Sequence, residues 1–182
     1  MNKRQIFLQI AVILIFSVYF MGAYAEDVDP KLMKGWEVGS EYNNHYDVRE
    51  YEKIRAWFLR AKEVIPMPGM SPATVVEVLE GAEVIEVHLC PTWYRKPGDI
   101  KLKKNERIKL KGVWAEIDGK DVFMASKIKK DPNTDIIKVR LTKDGTPFWT
   151  MSPEQLAWEM LPDEEKEARM AKGEKPPQTK TQ

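Results

Sequence analysis

The chain has 182 residues, with 29 Lys and Arg against 28 Asp and Glu and a formal charge of +1. That length suits one ordinary domain with extensions, and the near-neutral charge argues against a nucleic-acid binder, which is usually strongly basic. Cys90 is the single cysteine, so there is no intramolecular disulfide and no Cys-x-x-Cys-His haem attachment.

The N-terminus reads as an export signal. Lys3 and Arg4 precede an apolar run over residues 6–21, and Ala23-Tyr24-Ala25 offers the small-x-small pattern a signal peptidase cleaves. Residues 1–25 are therefore expected to be a signal peptide, with the working protein beginning near Glu26, periplasmic or secreted. The alternative is an uncleaved anchor, because residues 6–25 approach the roughly 20 residues that span a bilayer. Lys3 and Arg4 would then hold the N-terminus inside. Membrane attachment is expected only in that case.

Residues 26–46 carry Trp36, Tyr42 and Tyr46 in a polar setting and read as an irregular arm. Asp47 is placed to cap a helix over residues 47–64, since Tyr51, Ile54, Trp57, Phe58 and Ala61 recur at helical spacing. Pro66, Pro68, Gly69 and Pro72 end it and make a stiff connector, so residues 26–72 form an arm, an amphipathic helix and a Pro-rich link.

From residue 73 the pattern turns to β. Strands are predicted at 74–79, 83–89, 107–117, 121–129 and 136–141, with turns at Glu80-Gly81, Asp118-Gly119 and Asp144-Gly145. Gly112 suits a bulge or bend in the third of these strands. Five short strands without crossover helices predict a mainly β fold, a small five-stranded antiparallel barrel of the oligonucleotide/oligosaccharide-binding (OB) kind over residues 73–150. The helix expected between strands three and four of that plan is replaced by the tight Asp118-Gly119 turn. Ser152-Pro153-Glu154-Gln155 is a capping box that opens a C-terminal helical segment over 151–172, and the Lys/Pro/Gln/Thr-rich stretch 173–182 is expected to be disordered.

Two segments carry a family resemblance: Val87-His88-Leu89-Cys90-Pro91-Thr92-Trp93-Tyr94, and Leu141-Thr142-Lys143-Asp144-Gly145-Thr146-Pro147-Phe148-Trp149. Together they resemble a group of small exported bacterial proteins with an OB-like barrel. The resemblance covers residues 74–149. It implies fold and export, and it names no catalytic residue. Cys90 stands where that group usually has a small residue, and the closing motif is shortened at Asp144-Gly145.

Candidate chemistry is sparse. His88 and Cys90, two apart on a strand, point the same way, and imidazole with thiolate suits copper or zinc. Met124 or His45 would have to supply a third ligand. The competing reading is a half-buried thiol and a hydrogen-bonded histidine on the outside of a barrel strand. Trp93, Tyr94 and Arg95 form a loop cluster that, with His88 and Trp149, is a candidate to stack on a planar ligand or bind a partner; the competing reading has Trp93, Phe148 and Trp149 cap an open barrel end. Lys101, Lys103, Lys104, Arg107, Lys109 and Lys111 make the densest basic run, read either as lysine protection of an edge strand or as a dock for an acidic protein or anionic polymer. No motif for a nucleophile elbow, phosphate loop or zinc protease is present.

The expected function is a non-enzymatic binding or accessory module of the bacterial envelope that engages a protein partner, with no cofactor and no nucleic acid. The alternative is a small-ligand or copper/zinc protein accessory to electron transfer or metal handling.

Overall fold

The computed structural model describes residues 29–130 and 134–177, so the expected signal peptide and the last five residues lie outside the described part. Six strands form one sheet: β1 (Tyr51–Val64), β2 (Ala73–Glu80), β3 (Glu83–Pro91), β4 (Arg107–Ile117), β5 (Lys120–Lys130) and β6 (Thr134–Lys138). They follow the order β3-β2-β1-β4-β5-β6, and β3 also pairs with β5. The first five strands therefore bond in a ring, and β6 adds to its edge. All pairings are antiparallel except β3 with β5, a parallel contact of two residue pairs, Val87 with Phe123 and His88 with Met124. The fold is mainly β, as expected, and the ring is completed by that short contact alone.

The amphipathic helix expected over residues 47–64 is instead strand β1. Asp47 does act as a cap, but of a single 3-10 turn, Val48–Glu50, by accepting from the Arg49 amide. The period of two was present: Ile54, Ala56 and Phe58 face inward and are buried, while Lys53, Arg55 and Trp57 alternate with them. Trp57 is an aromatic residue on the solvent side, 46% exposed. Counting it as core produced the helical spacing. A bulge at Leu59, between Phe58 and Arg60 in the pairing with β2, then shifts the phase.

With β1 counted, the connection between the third and fourth strands of the ring is residues 92–106, which hold one 3-10 turn, Pro97–Asp99. The Asp118-Gly119 hairpin lies between β4 and β5 and replaces nothing. The strand expected at 136–141 is β6, which ends at Lys138. Val139 and Arg140 then both donate backbone N–H groups to the Ser126 carbonyl.

The ring encloses an apolar core. Phe58, Val76, Val78, Ile85, Val87, Ile108, Leu110 and Phe123 are all buried, each burial contributing roughly 1.5–3 kcal/mol for a large aliphatic or aromatic side chain. A second layer covers the outside of β3 and β5. It is built from the arm, with α1 (Pro30–Met33) and α2 (Glu41–Asn44), and from residues 139–150. The arm is thus packed structure: Trp36 and Tyr42 are 0% and 1% exposed. Beyond it, Ser152 caps α3 (Pro153–Met160) through the expected box with Gln155, and α4 (Asp163–Ala171) follows.

Gly112 sits where the β4–β5 register shifts. A Cβ there would overlap the Met124 carbonyl oxygen and lie 2.8 Å from Ala125 Cα. Both are backbone atoms, so the neighbours cannot swing away. Gly112→Ala is expected to destabilise the fold by about 2 kcal/mol or more, read as a lower urea midpoint at unchanged slope.

Candidate functional site

The sequence-predicted site residues converge, but into the interior of the outer layer. His88 is 2% exposed and Cys90 fully buried, on the outer side of β3 beneath the arm. The outward direction was read correctly, and the half-exposure was not, because the arm and residues 139–150 cover this side. His88 uses both ring nitrogens: Nδ1 lies 3.2 Å from the Tyr42 hydroxyl and Nε2 3.1 Å from Glu86 Oε1. A metal at His88 would have to displace one of these. Met124 is the register partner of His88 on β5. Among the described residues no group of three or more His, Cys, Asp or Glu is gathered as a metal site.

Trp93 donates its indole N–H to the Leu32 carbonyl, 2.9 Å away, and meets Tyr94 edge-on. Tyr94 in turn lies 6.0 Å from Trp149, whose own indole N–H donates to the Trp36 carbonyl at 2.9 Å. These rings pin the arm to the barrel's flank. Arg95 serves through its backbone, its carbonyl accepting from the Thr74 hydroxyl.

At the centre stands a residue that sequence reasoning missed. Arg140 is 2% exposed, and its guanidinium lies 4.7 Å from the Trp149 ring centre, 5.7 Å from Tyr46 and 5.8 Å from Tyr42. Nη1 donates to Asn43 Oδ1 at 2.8 Å and to the Gly145 carbonyl. Among the described residues no carboxylate pairs with it. Aromatic faces and backbone dipoles carry the charge instead. The signal was an arginine inside the apolar stretch Ile136-Ile137-Lys138-Val139-Arg140-Leu141, where an unpaired cation is out of place.

The layer's electrostatics oppose reactivity. Burial pushes the Cys90 thiol up to about 12, with Arg95 and Arg140 only partly offsetting it. Burial likewise raises Tyr42 to about 12, against the opposing field of Arg140. At the layer's rim Lys62 bridges Glu77 and Glu86 at 2.8 and 2.7 Å, and Arg60 clasps Glu77. Hydrogen bonds from Arg60 and Lys62 hold Glu77 down at about 2. His88 and then Lys62 do the same for Glu86.

What these features define is a small ring-bonded β domain whose conspicuous side chains hold an outer aromatic layer. Residues 52–134 match the MamS/MamX magnetosome protein family, a span from the second residue of β1 to the first of β6. The likeness thus covers the five-stranded ring and leaves out the arm, Arg140 and Trp149. No curated protein and no solved structure matches the chain.

Two outcomes follow from the site. Cys90 is expected to react with a disulfide reagent at pH 8 far more slowly in the folded protein than in denaturant, because its thiolate is suppressed and covered. A native thiol labelling as fast as the unfolded one would contradict this burial. Because Glu77 and Glu86 are depressed on folding, their contribution is complete above the ordinary glutamate range, near pH 4.5. It is lost as pH falls from there toward 2. The urea midpoint should drop across that window, and less steeply in Glu77→Gln/Glu86→Gln.

Proposed function

We propose that this chain is an exported, non-enzymatic accessory module of the bacterial envelope, associated with magnetosomes, that works by binding a protein partner. The observation that carries the reading is the family match across residues 52–134. The chemistry of the fold supports it. The ring's interior is filled by aliphatic and aromatic side chains, so a ligand has to be met on the outside. The one thiol is buried and poorly ionised, which suits packing better than nucleophilic attack. The apolar run and Ala23-Tyr24-Ala25 ahead of the domain supply the route out of the cytoplasm. None of the helices among the described residues is long and apolar enough to cross a membrane. Attachment by the chain itself would therefore rest on residues 6–25.

Cross-linking in intact cells, followed by affinity recovery from the envelope fraction, tests the proposal. One partner protein should be recovered reproducibly and should be absent from cells lacking this chain. The recovered protein should begin near Glu26. Recovery from the cytoplasmic fraction alone, or no partner above the control, would overturn the reading.

A further inference from the structure

The two C-terminal helices are held to the rest of the molecule by very little. Between them α3 and α4 carry one buried side chain, Trp158, which is 7% exposed. Trp158 is also outside the contiguous core that runs from Trp36 to Trp149. The pair is braced within itself instead: Glu159 of α3 accepts from Lys166 of α4 at 2.5 Å, and Arg169 bonds Glu165 and Glu174. Two spaces are left between the helices and the residues they cover. One, of about 280 Å³, has Val38, Thr150 and Trp158 among its lining. The other, of about 230 Å³, has Lys127, Lys138 and Asp163. Leu141, Lys143 and Glu159 border both. Side chains facing such gaps forfeit packing attraction.

The second space is a cleft of opposite charges. β5, β6 and the loop after β6 supply Lys127, Lys138 and Lys143, while the helices supply Glu159, Asp163 and Lys166. Residues 153–172 hold six acidic residues against three basic ones. The helix dipole accounts for Asp163, Glu164 and Glu165, which stand in the first turn of α4. It does not account for Glu159, the last residue but one of α3, where a carboxylate is disfavoured. The cations of the cleft and Lys166 are what favour it there. Lys127 and Lys138 are both engaged in this arrangement, so an outside ligand has to displace the helices to reach the cleft.

We propose that α3 and α4 form a detachable strap, and that the cleft beneath them takes an acidic segment of a protein partner when the strap is displaced. Glu159 and Asp163 share the cleft with the lysines as the carboxylates of such a segment would. Elements with few buried contacts open at the lowest free-energy cost, and here a single indole is the anchor. Because that indole lies outside the contiguous core, the strap can lift while the ring stays closed. The inference rests on the protein-partner reading above for the source of the segment. Its test uses a peptide in place of that partner, so either can fail alone.

The test is fluorescence anisotropy of a labelled oligoglutamate peptide with the purified full chain. The parent should bind it weakly. Trp158→Ser should bind it about tenfold more tightly or better, as when a competent state populated at about a tenth or less becomes the main one. Glu159→Gln/Asp163→Asn, which leaves the core untouched, should tighten binding in the same direction and serves if Trp158→Ser does not fold. Adding Lys127→Gln/Lys143→Gln to either variant should return binding to the parent level. Hydrogen exchange on the parent is an independent readout: amides of residues 153–171 should exchange well before those of β4. Binding by Glu159→Gln/Asp163→Asn no tighter than by the parent, a gain that survives Lys127→Gln/Lys143→Gln, or exchange of residues 153–171 in step with β4 would each overturn the proposal. A gain for polyphosphate without one for oligoglutamate would overturn the assignment to an acidic segment.

Discussion

Strand β1 has to pair along both of its edges, and the ring exists because it can. Its first half, Tyr51 to Trp57, bonds to β4, and its second half, Trp57 to Val64, bonds to β2. A flat strand could not turn from one partner to the other. The bulge at Leu59 supplies the bend by adding an unpaired residue and sharpening the local twist. The register shift at Gly112 does the same on the opposite side, where β4 and β5 approach too closely for any Cβ. With both bends in place, β3 comes within reach of β5, and two residue pairs complete the ring. The apolar core is then ringed by strands, and the β1–β4 and β3–β5 contacts join strands that are not consecutive in sequence.

Closing the ring leaves the outside of β3 and β5 apolar, with Val75, His88, Cys90, Val113 and Met124 all needing cover. The arm and the segment after β6 provide it, and Arg140 joins the two. Its guanidinium is flat enough to lie against Trp149, Tyr46 and Tyr42, and its Nη1 reaches Asn43 on α2. A guanidinium is more weakly hydrated than an ammonium, so it tolerates this burial where lysine would not. The cost of desolvation is visible in Arg140 itself, whose pKa burial lowers. Trp93, Tyr94 and Trp149 meet one another within this layer. The likeness to MamS/MamX proteins stops at residue 134, so this covering layer lies outside the part of the chain that the likeness describes.

These two constraints divide the molecule's surface. The β3–β5 side is sealed by aromatics, while the outer side of β1 and β4 carries Lys53, Arg55, Lys109 and Lys111, which alternate with the buried inward residues. A barrel with a filled interior can act only through such outer surfaces. The sealed side ties the arm to the ring through the Trp93–Leu32, Trp149–Trp36 and Arg140–Asn43 hydrogen bonds.

By itself the sequence determined what depends on short-range pattern. The alternation in residues 83–89, the Asp118-Gly119 turn, the need for glycine at 112 and the Ser152–Gln155 cap are all local. Each was legible because a neighbouring residue or a backbone dihedral enforces it. Strand β1 was not legible, because an exposed Trp57 and a bulge at Leu59 broke a period of two that only pairing with β2 and β4 restores. The burial of His88 and Cys90 was not legible either. It depends on an arm more than 40 residues away from them in sequence, as the Tyr42–His88 bond shows. Arg140 belongs to the same class, as does the Arg60–Glu77–Lys62–Glu86 cluster. The charge of each residue is written in the chain, but which charges stand opposite one another is set by strand register, and register is a property of the folded sheet alone.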